Sequence, residues 1–117
     1  MYQKRYDEAL VNLDKLERTL MKGHSLTDEI YWLRSNIYNA IGRDDAAIVN
    51  LKKVVDGKRD IYTDNALITL AHLYEKKGEL EEAQNYYKEI LLNHSGSIYV
   101  AEARKKFRVL RGEKVAN

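Results

Sequence analysis

Residues 66–97 read ALITLAHLYEKKGELEEAQNYYKEILLNHSGS. Leu67, Leu70, Ala71 and Tyr74 recur at steps of three and four, the period of an α-helix and not of a strand. Gly78 interrupts the pattern, and Ala83, Tyr87 and Ile90 resume it. The stretch therefore predicts two helices joined by a short glycine-containing turn, which forces them antiparallel. Ala71 and Ala83 are the small residues, and two helices approach closely only where one side chain is tiny. They mark the predicted crossing point. Sliding the chain by 36 residues sets Tyr74 on Tyr38, Ala71 on Ser35, Gly78 on Gly42, Ala83 on Ala47, Tyr87 on Leu51 and Ile90 on Val54. Size class is kept at each position. A third, partial copy lies upstream, where Ala9, Leu13 and Leu16 match Ala47, Leu51 and Val54 at a spacing of 38. A period in this range means stacked supersecondary units.

Working outward, the chain has no Pro, and its six glycines punctuate helical stretches. Leu10, Leu13, Leu16 and Leu20 form one apolar stripe; Ile30, Leu33, Ile37 and Ile41 form another. Strand-type alternation is nowhere sustained. The reading is an all-α chain of six helices, near 4–22, 26–41, 44–56, 61–77, 80–93 and 97–111. Ser25 and Ser97 are candidate N-caps, and Asp28 stands three after Ser25 in a weak capping box.

The pattern L67-x2-L70-A71-x2-Y74 followed by A83-x3-Y87 resembles the tetratricopeptide repeat. Residues 64–97 match that pattern well. Residues 28–61 match through Tyr31, Ser35, Tyr38, Ala47 and Leu51, but Arg34 stands where Leu is expected, and the family's closing Pro is replaced by Arg59 and Ser95. Residues 4–22 resemble the second helix of a repeat alone, and 97–111 a terminal capping helix. The resemblance implies one domain over 1–117, a right-handed superhelix (solenoid) of antiparallel helix pairs. A finer resemblance lies in HSGSIYVAEARKKFRVLRG, residues 94–112. Ser97, Tyr99, Ala101, Glu102 and Ala103 are similar to the ends of bacterial cell-envelope repeat proteins. That implies a fragment of a larger envelope protein, with periplasm or envelope favoured over cytoplasm.

Composition excludes several classes. The chain has 117 residues, enough for one ordinary domain. With 20 basic and 18 acidic residues its net charge is +2, too balanced to imply a nucleic acid or membrane partner by itself. The absence of Cys removes disulfides, thiol catalysis and thiolate metal sites. No apolar run has the length of a membrane span, and Met1 leads into YQKRYDEAL, too polar for a signal peptide. His24, His72 and His94 have no metal-ligand spacing, and no phosphate loop or nucleophile motif occurs. Glu79, Glu81 and Glu82 open a helix, where acidic side chains complement the macrodipole. The expectation is a non-enzymatic protein without cofactor or metal.

Surface recognition remains. In a repeat stack the first helix of each pair lines the concave face. Carried onto this chain, the repeat register puts Glu29, Trp32, Asn36 and Asn39 there from one helix, and Asn65, Ile68, His72, Glu75 and Lys76 from the next. Lys105 and Arg108 come from the last helix. Trp32, the sole Trp, is either an interface anchor or packed against the preceding helix, filling the gap left by Arg34. The register disfavours a chaperone carboxylate as partner, because Trp32 takes the place of the first Lys. Residues 101–117 hold six basic and two acidic side chains, leaving the rest at −2. The expectation is a scaffold module binding a protein or peptide segment, with a homodimer or missing upstream repeats also open. The alternative is a helical-repeat RNA-binding or enzyme-positioning domain using the basic last helix, although Phe107 is the only aromatic there.

Overall fold

A computed structural model describes residues 2–20, 26–57 and 61–112. It contains α1 (Tyr2–Thr19), α2 (Thr27–Ala40), α3 (Asp44–Asp56), α4 (Thr63–Lys76), α5 (Leu80–Asn93) and α6 (Val100–Leu110), with no strand among the described residues. All six expected helices are present. The chain packs as two compact units, Met1–Tyr62 and Thr63–Asn117.

In the first unit α2 and α3 form an antiparallel pair joined by three residues, and α1 packs on α2. Ile30, Ala47, Leu51 and Val54 are buried, so the small residue Ala47 sits at the crossing as its spacing predicts. The turn between the helices is built on Gly42, whose φ of 78° lies in the left-handed region. Gly42 N–H donates to the Asn39 carbonyl at 3.2 Å, and Arg43 N–H reaches back to the Tyr38 carbonyl at 2.8 Å. These bonds satisfy carbonyls that the helix end would otherwise orphan.

The second unit repeats this local structure. Gly78 has φ 79°, Gly78 N–H donates to Glu75 O at 2.9 Å, and Glu79 N–H donates to Tyr74 O at 2.9 Å. Leu67, Leu70, Ala71, Ala83, Tyr87 and Ile90 are all fully buried. Tyr74 stacks on Tyr86 with ring centroids 5.6 Å apart. α6 then packs beside α5, burying Ala103 and exposing Ala101.

Two local expectations change. α6 begins at Val100 and not at Ser97. The Ser97 hydroxyl accepts the Tyr99 N–H at 3.1 Å, so it caps a turn that precedes the helix. Ser25 lies outside the described residues. Asp28, its expected partner, instead holds its carboxylate against Gly57, where an added Cβ would meet Oδ1 at 2.7 Å.

Candidate functional site

Of the α2 residues assigned to a binding face, Asn36 and Asn39 are exposed, while Glu29 and Trp32 are half-buried. Trp32 stacks on Tyr62 with centroids 5.6 Å apart and planes 16° from parallel. Its partner thus comes from the turn before α4, a residue that neither sequence alternative had named. The stack holds the indole in one orientation while part of it meets solvent. Four- and three-residue steps carry Trp32, Asn36 and Asn39 along one side of α2. The result is an aromatic surface beside two amides that can each donate and accept.

In the second unit the expected residues of α4 are largely engaged by α6 and the residue before it. Tyr99 Oη donates to Asn65 Oδ1 at 2.7 Å. His72 Nε2 lies 2.6 Å from Glu102 Oε2. Lys106 Nζ reaches Glu75 Oε2 at 3.5 Å, and Tyr87 Oη donates to the other Glu75 oxygen. Burial, and then the Glu75 carboxylate, push the Tyr87 pKa well up. Ile68 is buried, at 4 % exposed, and Lys76 is exposed. On α6, Lys105 and Arg108 are exposed. Arg111 places its guanidinium 5.0 Å from the Phe107 centroid, covering the one ring in the basic segment. Leu80, Gln84, Lys88, Phe107 and Leu110 line an open groove of about 650 Å³ between α5 and α6.

The feature that sequence spacing did not deliver is a polar cluster in the first unit. Arg34 is buried. Its Nη2 donates to Asp14 Oδ1 at 2.9 Å and to Glu17 Oε1 at 2.7 Å, both on α1. Its Nη1 donates to Asn50 Oδ1 at 3.3 Å, on α3, and Asn50 in turn donates to the Ala46 carbonyl at 2.9 Å. Tyr31 Oη completes the cluster by donating to Glu17 Oε2 at 3.1 Å. Burial alone would raise the Glu17 pKa, but the bonds from Arg34 and Tyr31 outweigh it and hold the carboxyl below its ordinary value. The two carboxylates more than balance the guanidinium, and the cluster clamps α1 to α2 and α3. Arg34 in a Leu position was the available signal, together with two acids three apart on α1.

Among the described residues no group of three or more His, Asp or Glu is placed to hold a metal, and no helix is long and apolar enough to cross a membrane. The sequence profile of the tetratricopeptide repeat matches residues 28–59 and 64–92, more than half of the chain. The chain belongs to the tetratricopeptide repeat family. Repeats of this family typically mediate protein–protein interaction and are non-catalytic. Among curated proteins, DnaJ homolog subfamily C member 3 of Gallus gallus is 32% identical over 74 residues, which is 63% of this chain and 14% of that protein. The proteins of the same name from Bos taurus and Homo sapiens are each 30% identical over 76 residues, 65% of this chain and 15% of theirs. The chain thus corresponds to a small part of these relatives. They are similar to it in the repeat region.

Proposed function

We propose that this chain is a scaffold module that binds a segment of another protein on the side of α2 bearing Trp32, Asn36 and Asn39. One observation carries the reading: Trp32 is held by Tyr62 yet half-exposed, next to two amides that no other described residue engages. A pre-oriented aromatic anchors an interface at low entropic cost, and free amides match a peptide backbone. In the other unit, taken by itself, His72, Glu75, Lys76, Lys105 and Arg108 on α4 and α6 offer a separate polar surface for contact with a protein.

A bacterial envelope setting is part of the proposal. Its support is the run of Ser97, Tyr99, Ala101, Glu102 and Ala103, with the Ser97 turn leading into α6. The test is a pull-down from a bacterial envelope extract, with Trp32→Ala as control and the captured protein then titrated in purified form. Trp32→Ala should weaken that titration by about 2 kcal/mol, roughly thirtyfold, with the fold retained. Unchanged affinity in the variant refutes the α2 surface. Intrinsic fluorescence adds a second check, since one Trp reports: iodide should quench it readily, whereas an inaccessible, blue-shifted emission removes Trp32 from the surface.

A second reading, RNA binding or enzyme positioning through α6, has the exposed Arg104, Lys105 and Arg108 in its favour. Against it, Arg111 already covers Phe107, the ring that single-stranded RNA would stack on. Tight binding to single-stranded RNA at physiological salt would reverse this ranking.

A further inference from the structure

α2 holds a single cation, and it is already committed. Arg34 is 6% exposed and bonded to Asp14 and Glu17 of α1. Glu29, Trp32, Asn36 and Asn39 follow one another along a different side of the helix, at steps of three, four and three. That stripe carries no positive charge. Its one ionised group is the Glu29 carboxylate, half-buried in the first turn and without an ion pair among the described residues.

The order of groups along the stripe selects a ligand. Stacking on Tyr62 at 5.6 Å fixes the indole, so a ring that packs on it loses little freedom to a mobile partner. From Trp32 to Asn39 the stripe runs about 10.5 Å along the helix axis. One turn of polyproline II, three residues, is about 9.3 Å long, and its carbonyls have no internal partner. A proline set on the indole therefore lays the carbonyls that follow it alongside Asn36 and Asn39. Each amide supplies two N–H donors, and prolines present acceptors alone.

We infer that this surface takes a proline-rich segment of another protein in polyproline II form, with a lysine or arginine beside the proline that meets the indole. The inference rests on the α2 reading above and names the chemistry of its occupant. The ring surface takes the proline, the two amides take backbone carbonyls, and Glu29, three residues before Trp32, takes the cation. An acidic segment would meet that carboxylate with no cation on the stripe to offset it.

The probes are capped hexapeptides, read by the emission of Trp32 in the whole chain. Lys-Pro-Pro-Pro-Pro-Pro should shift that emission and saturate. Lys-Ala-Ala-Ala-Ala-Ala, which is not pre-ordered, should bind at least about fivefold more weakly. Glu-Pro-Pro-Pro-Pro-Pro should bind about threefold more weakly, the scale of an exposed charge contact. Glu29→Gln should erase the difference between the lysine and glutamate peptides and keep the preference for proline. Asn36→Ala and Asn39→Ala should each weaken the lysine–proline peptide about threefold, with the helices intact by circular dichroism. Equal affinity for the three peptides, or no saturable signal with the lysine–proline one, overturns the inference. So does a captured partner that depends on Trp32 but binds through a segment without proline. That outcome leaves the α2 surface standing, whereas a partner indifferent to Trp32→Ala removes both.

Discussion

The two repeats, 28–57 and 64–93, have nearly the same backbone and different interiors. Their turns differ by one degree in glycine φ, and their alanine crossings are both sealed. Yet Leu70, fully buried in the later repeat, corresponds to Arg34 in the earlier one. Tyr86, stacked on Tyr74, corresponds to Asn50, which bonds Arg34. The later repeat places a buried leucine and a ring stack at this level. The earlier one carries a charge that is tolerable only because α1 supplies two carboxylates. Backbone geometry in this fold is therefore set by glycine and alanine positions, and the filling between them can change chemical character.

Exchanging the fillings should break the symmetry most. Leu70→Arg places a guanidinium at a fully buried position and should cost at least about 3 kcal/mol, read as a lower urea midpoint. Arg34→Leu restores the repeat residue and should cost about 1–2 kcal/mol, because Asp14 and Glu17 keep solvent access once released. Equal losses would mean that the α1 carboxylates do not compensate Arg34.

Overpacking the crossings probes what the repeats share. Ala83→Leu and Ala47→Leu should each cost roughly 1–3 kcal/mol, while Ala101→Leu on exposed α6 surface should shift the midpoint by no more than about 0.5 kcal/mol. Identical midpoints for Ala83→Leu and Ala101→Leu would refute the helix register. A smaller, paired effect belongs to the turns. An added Cβ at Gly42 or Gly78 meets nothing within 4 Å, so Ala there strains the backbone alone, and both variants should lose about 1–2 kcal/mol. A clear difference between them would show that the turns are not equivalent.

The smallest expected effect is acid sensitivity confined to the first repeat. The Glu17 carboxyl is held below its ordinary value of 4.5. Its contribution is present above the pKa of the unfolded chain and disappears as pH falls through the folded value. With partial solvent exposure the loss should stay under about 1 kcal/mol. Chemical denaturation between neutral and acid pH should show it in the parent and lose it in Arg34→Leu.

The helices and their pairing were legible because periodicity, glycines and alanines are local signals. Residues 44–56 and 80–93 coincide with α3 and α5 to the residue. The start of α6 was misplaced because a serine hydroxyl two residues before an amide satisfies it equally well in a turn or a cap. Arg34 was visible as an exception, but not its partners. Asp14 and Glu17 lie on α1 and Asn50 on α3, all distant in sequence from Arg34 on α2, and spacing rules reach only one helix. The face of Trp32 was undecidable for a related reason: its stacking partner Tyr62 lies outside any helix of its own repeat.

Arg34 also bears on the grammar of the array. Shifts of 38 and then 36 set Asp14 on Lys52 and Lys88, and Glu17 on Val55 and Leu91. If either α3 or α5 were transplanted onto α2 in place of α1, a lysine would stand beside the buried guanidinium and no carboxylate would answer it. Interchangeable modules could be read from any starting point. This pair of words, Arg34 with its two acids, admits a single predecessor and so writes the order of the helices into their chemistry.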